Sequence, residues 1–104
     1  VIGAKAGIGG TYAVMPDLFL KLNQLIIDKK LDRAKELQHA INSVIYKMVS
    51  GRANLYAVMK EILRLNEDLD IGSVRAPLEP LSEGDYAIAK EAAAMIKQVR
   101  EDFL

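Results

Sequence analysis

The first ten residues, VIGAKAGIGG, set the tightest limit on how this chain can fold. Ile2, Ala4, Ala6 and Ile8 alternate with Val1, Gly3, Lys5 and Gly7, the two-residue period of a strand. A helix is disfavoured, because Gly3, Gly7, Gly9 and Gly10 would each cost it about 1 kcal/mol. Val, Ile and small residues in such a run suit a strand buried on both faces. Yet no second convincing strand follows. The one candidate, Ile71 to Val74, is short and interrupted by Gly72. A buried peptide group without a partner costs on the order of 1–3 kcal/mol, so a whole unpaired strand would cancel much of a small domain's stability. The segment is therefore expected to be extended and to find its pairing partners in peptide outside these 104 residues.

The rest of the chain reads as four helices. Pro16 suits the first position of a helix, where its missing N–H is no loss, and Asp17 sits near the positive end of the helix dipole. Leu18, Leu22, Leu25 and Ile26 then form an apolar stripe reaching about Asp28. Asp32 is the expected cap of a second helix carrying Leu37, Ile41, Val44, Ile45 and Met48, with Gly51 as its stop. Asn54 is the expected cap of a third, with the stripe Leu55, Val58, Met59, Ile62 and Leu63. Residues 68–81 lack helical period and contain Pro77 and Pro80, which predicts an extended connection. Ser82 and Asp85 resemble a capping box with Asp in place of Glu, opening a last helix through Ala92, Ala93, Met95, Ile96, Val99 and Phe103.

A strand, a glycine loop and a helix in succession form the repeating unit of a β/α barrel. The expected fold class is thus α/β: the C-terminal part of a (β/α)8 TIM barrel, with the isolated chain mainly α. Residues 1–30 are expected as its last β/α unit and residues 31–104 as a helical extension. With a helix at the front, or a segment free in solvent with no ladder on either side, the barrel-wall role for this chain collapses.

Composition narrows the function classes. With 14 basic and 14 acidic side chains the net charge is zero, and signs alternate through Lys29, Lys30, Asp32, Arg33, Lys35 and Glu36. That is a solvated face, with no clustered positive charge for nucleic acid. The absence of cysteine excludes disulfides and thiolate metal sites and fits a reducing, cytoplasmic setting. No apolar run approaches the ~20 residues that span a bilayer, and the front has no charged leader with a cleavage region. A start at Val1 without an initiator Met suggests a fragment or a processed chain.

The stretch Gly3-Ala4-Lys5-Ala6-Gly7-Ile8-Gly9-Gly10-Thr11-Tyr12 resembles the eighth-strand motif of N-acetylneuraminate lyases, typically GADGGIGSTYN. Lys35 to Gln38, Asn54 to Lys60 and Ile71 to Leu78 also resemble C-terminal segments of that family, within the dihydrodipicolinate synthase/sialate lyase superfamily. The resemblance implies a (β/α)8 barrel with a three-helix extension, usually a homo-tetramer, that cleaves N-acetylneuraminate to pyruvate and N-acetylmannosamine without a cofactor. It implies a Schiff-base Lys at the end of the sixth strand, a Tyr assisting proton transfer, and an acidic loop after the seventh strand. All three precede Val1, so no catalytic residue is expected in this chain, which alone should be inactive.

One substrate contact of the family maps inside it: the Ser of the GIGST motif falls on Gly10. The backbone can still face substrate, but a hydroxyl hydrogen bond is lost. Lys5 replaces the usual Asp and Ala13 the usual Asn, which admits a sister 2-keto acid aldolase as an alternative. A third reading is a non-catalytic helical module that self-associates through its strand.

Several residues invite sharper roles than the pattern supports. A Lys on a barrel strand could be a Schiff-base nucleophile, but Lys5 lies on the eighth strand by resemblance, and a surface ion pair is the simpler role. The glycines form neither a dinucleotide fingerprint, which needs a third Gly where Tyr12 stands, nor a P-loop, which needs Gly-Lys-Ser/Thr. They leave close ligand approach at a barrel mouth, or tight steric packing. His39 has no partner for a metal or catalytic role, and Met48, Met59 and Met95 fall at core spacing. Tyr12 and Tyr56 could reach the site mouth or a subunit contact, with half-buried packing the simpler reading.

Overall fold

The computed structural model describes residues 1–52 and 54–104. A 3-10 turn at Gly10–Ala13 leads into four α-helices: α1 (Pro16–Ile27), α2 (Leu31–Met48), α3 (Leu55–Glu67) and α4 (Glu83–Phe103). All four helices expected from periodicity are present. Helix α4 is the axis of the assembly, packing mainly on α2 and α3, while α1 rests chiefly on α2. Its Ala89, Ala92 and Ala93 let neighbouring backbones come close, and Ile96 fills the space beyond them. Leu18, Leu37, Ile41, Val44, Met48, Val58 and Ile62 complete one continuous core.

The helix ends show which local signals hold. Pro16 opens α1 and Asp17 lies in its first turn. Asn54 caps α3 by accepting from the Ala57 N–H at 3.0 Å. The Ser82–Asp85 capping box forms in both directions. Two expectations fail. Helix α2 begins at Leu31 with Lys30 as its cap residue, so Asp32 lies inside the first turn and interacts with the helix dipole rather than capping it. Gly51 does not end α2, which stops at Met48 with Val49 as C-cap. Gly51 is instead packed beneath α4. A Cβ there would collide with the Asp85 carboxylate and lie 2.8 Å from Ile88 Cδ1.

Long-range polar contacts tie the helices together. Buried Asp85 accepts from the Arg52 N–H at 3.0 Å, joining the α2–α3 loop to the start of α4. Arg100 on α4 contacts Asp17 on α1 (Nε–Oδ2 2.9 Å) and Glu67 on α3 (3.3 Å). Arg33 stacks 3.9 Å over the Phe103 ring and donates to the Asp102 carbonyl at 2.6 Å, joining the two ends of α2 and α4. On the surface of α3, the hydrogen bond and charge of Glu61 raise the pKa of Arg64.

The front segment behaves differently. Residues 1–8 are exposed, with Ile2 at 99% and Ile8 at 105% of full accessibility. No strand or bridge occurs among the described residues, so the expected strand finds no ladder within this chain. Gly3 also interrupts a regular strand with φ +99°. Ile71 to Val74 is likewise irregular and gives no partner. By its own contacts, then, the chain does not show a barrel wall. The physical reason is that no second strand exists among the described residues to pair with it.

Candidate functional site

The glycine loop is held from both ends. Gly9 is extended (φ −119°, ψ 134°), and the turn after it is closed by the Tyr12 N–H donating to the Gly9 carbonyl at 3.2 Å. Buried Val14 and Met15 then anchor the chain immediately before α1. The Tyr12 ring folds back over the loop and contacts Phe19 on α1, with centroids 4.4 Å apart and a 52° tilt.

That ring explains two of the glycines. A Cβ at Gly7 would lie 2.6 Å from the Tyr12 hydroxyl oxygen, and one at Gly9 would lie 2.7 Å from Tyr12 Cε1. A side chain at either position would have to displace the Tyr12 ring, which stands at the movable end of its side chain. Gly10 is different. It is exposed, and a Cβ there would make ordinary contacts at 3.7 Å with Met59 Cε and Tyr56 Cε1. Internal crowding does not demand glycine at position 10, since a Cβ there makes only ordinary contacts.

The other singled-out residues scatter. Lys5 is exposed and lines an open groove of about 540 Å³ between the front segment and α1, with Tyr12, Phe19 and Leu20. A Schiff-base amine needs desolvation or a tuning charge, and exposure supplies no desolvation. His39 is exposed on α2, its carbonyl accepting from Ser43 Oγ. No group of three or more metal-binding side chains occurs among the described residues. Met48 and Met59 are core residues, and Met95 is partly buried against the core. Tyr56, at the start of α3, is 54% exposed beside Gly10. The structure thus places Gly10 beside Tyr56, sets Tyr12 over Gly7 and Gly9, and leaves Lys5 and His39 apart from any shared chemistry. Sequence reasoning missed the Tyr12 ring over Gly7 and Gly9. The only local hint was an aromatic residue three positions after Gly9.

No family model matches the sequence. Individual proteins do. The chain is 50% identical over all 104 residues to N-acetylneuraminate lyase of Mediterraneibacter gnavus. It is 34% identical over 91 residues to N-acetylneuraminate lyase of Fusobacterium nucleatum, spanning 88% of this chain and 30% of that protein. The solved structure of Ruminococcus gnavus sialic acid aldolase superimposes with a TM-score of 0.97 at 50% identity, over 99% of this chain and 34% of that one. A second structure of that aldolase, described as its catalytic lysine mutant, gives the same score. This chain spans about a third of the length of the proteins it matches.

These matches define the class first: the C-terminal part of a TIM-barrel aldolase, mainly α-helical when taken alone. More particularly, the sequence and fold are those of the C-terminal segment of N-acetylneuraminate lyases. Coverage of 99% includes nearly all of the front segment. The front segment thus falls within the part that superimposes on a solved aldolase some three times longer.

Proposed function

We propose that the chain is the C-terminal segment of a Schiff-base aldolase that cleaves N-acetylneuraminate to pyruvate and N-acetylmannosamine. Residues 1–30 act as the last β/α unit of its barrel and residues 31–104 as a helical extension. The single observation that supports this most is 50% identity along the whole chain to a lyase of that name. In the reaction a lysine amine condenses with the keto group of the open-chain sugar, releasing water. As the hydroxyl beyond the scissile bond loses its proton, its oxygen becomes the aldehyde carbonyl of the departing N-acetylmannosamine, and the carbon–carbon electron pair moves into the iminium to give an enamine. Protonation of that enamine and hydrolysis release pyruvate and free the lysine.

The lysine that does this lies in the polypeptide preceding this segment. This chain contributes the closing stretch of wall and one rim, where the Gly10 backbone faces substrate at the C-terminal mouth of the barrel. Its partners are the remaining two-thirds of the barrel, the keto acid, and other copies of the protein through the helical extension. No cofactor, nucleic acid or membrane is needed. No helix of the described residues is long and apolar enough to cross a membrane.

Borohydride reduction with pyruvate tests the reading. The full-length polypeptide carrying this segment should trap a covalent adduct on a lysine outside it, and the 104-residue chain alone should trap none. An adduct on Lys5 of the isolated chain, or none on the folded full-length protein, would overturn it. The missing side chain at Gly10 favours a second reading, a sister aldolase for another 2-keto sugar acid. Pyruvate release from N-acetylneuraminate against 2-keto-3-deoxygluconate separates the two.

A further inference from the structure

We propose that the front segment and the adjoining sides of α1 and α2 form one apolar assembly surface that holds the preceding two-thirds of the polypeptide, even when the two are separate chains. The inference rests on the reading of this chain as the C-terminal part of a barrel, and adds that this part is self-contained. Residues 1–8 present both edges bare: no backbone hydrogen bond joins them to any described residue, and Ile2 and Ile8 stand in solvent. An extended peptide with free N–H and C=O groups is a template for strand addition. Beside it, Ala4, Ala6, Tyr12, Phe19 and Leu20 line the groove of about 540 Å³. Leu22 and Ile26 carry the same face on to a second groove of about 230 Å³, bounded by Val1, Leu31 and Ala34.

The helical body needs none of this surface for its own core. Leu18, Leu37, Ile41, Ile62 and Ile96 are enclosed without it, and the Asn54 and Ser82–Asp85 caps close their helices locally. The bare edges and the two grooves thus lie together, outside a core that is already closed. A second copy of the chain suits this face poorly. It would bring one edge of its front segment to one edge here and leave the other edge of each bare. The preceding polypeptide meets the requirement, because a sheet closed into a barrel leaves no strand with a free edge. This chain covers 34% of the aldolase on which it superimposes, so about two-thirds of such a protein remains to supply strands to both edges and side chains to both grooves.

A specific protease site placed before Val1 in the full-length polypeptide tests this without refolding either piece. After cleavage the pieces should co-elute at micromolar concentration and keep most of the lyase activity. Leu20→Lys should raise the dissociation constant of the cleaved pair at least about tenfold, because it puts a charge into an apolar contact. The same substitution should leave the melting temperature of the 104-residue chain unchanged, since Leu20 is 70% exposed and lysine forms helix about as well as leucine. Pieces that separate on cleavage overturn the inference and leave the lyase reading standing. So does a cleaved pair indifferent to Leu20→Lys, or a 104-residue chain that dimerises through its front segment instead. An uncut, folded protein without lyase activity or trapped adduct overturns the lyase reading, while co-elution and its dependence on Leu20 still decide the inference. Where the inserted site disturbs the uncut protein, co-expression of the two pieces as separate chains gives the same readings.

Discussion

The front nine residues and the four helices have similar apolar content but opposite environments. In the helices Leu18, Leu37, Ile41, Ile62 and Ile96 are fully buried, whereas Ile2 and Ile8 at the front stand in solvent. The difference lies in where each kind of element finds partners. A helix satisfies its own backbone and needs only a face to pack against, which three other helices provide. A strand needs another strand on each edge. The same chain can therefore complete one half of itself and not the other.

The largest expected effects sharpen that contrast. Ile62→Ala or Ile96→Ala should lower the unfolding free energy of the 104-residue chain by about 2–5 kcal/mol, since each empties a fully enclosed site. Ile8→Ala should change it by less than about 0.5 kcal/mol. Urea titration followed by circular dichroism checks both. A large loss from Ile8→Ala would mean that the front segment packs on the helices in solution, and the division between the two regions would fall.

Next in size are changes where the helical body is tightest. Gly51→Ala drives a methyl group into the Asp85 carboxylate and against Ile88, and should cost about 1–3 kcal/mol. Asp85→Ala removes the capping partner of Ser82 and leaves the Arg52 N–H without its acceptor, with a similar loss of about 1–3 kcal/mol. Because the two residues touch, Gly51→Ala should be less harmful in the Asp85→Ala background. Strict additivity of the two would show that Gly51 is bare for some other reason.

These sites also mark the boundary of what the sequence reveals. The Asn54 cap, the Pro16 start and the Ser82–Asp85 box were legible because each is settled within one helical turn. Gly51 was misread as a stop because its reason lies more than thirty residues away, in Asp85. The bridge from Arg100 to Asp17 and Glu67 depends on three helices meeting and has no local signature. Period alone placed the ends of α1 and α3 near Asp28 and Asp68, but it gave no sign that residues other than glycine take the left-handed region there: Lys29 at φ 59° after α1 and Asp68 at φ 55° after α3. At the rim, the motif marked Gly10, but the same string could not separate it from Gly7 and Gly9. Only the fold shows a ring above two of them and ordinary contacts around the third.

Those left-handed residues supply a smaller and opposite effect. A side chain there costs about 1–2 kcal/mol that glycine avoids, partly offset by the greater freedom of glycine in the unfolded chain. Lys29→Gly should therefore stabilise the helical body by about 0.5–1 kcal/mol, read as an upward shift in melting temperature. Destabilisation would mean that the Lys29 side chain makes a contact worth more than the backbone strain.

The smallest effect on stability bears most directly on the contrast between the two regions, because Tyr12 is where they meet. Its ring lies over Gly7 and Gly9 on one side and against Phe19 of α1 on the other. Gly9→Ala must displace that ring, but a ring at the end of a side chain can swing aside. Global stability should therefore fall by less than about 1 kcal/mol. The local consequences should be plain: shifted Tyr12 and Phe19 ring resonances, and faster exchange of the Tyr12 N–H that closes the turn on Gly9. In Tyr12→Ala the obstacle is gone, so adding Gly9→Ala should change the Phe19 resonances no further. If Gly9→Ala leaves the Tyr12 ring signals where they were, the ring does not rest on the loop. The front segment would then be joined to the helices by covalent connection alone.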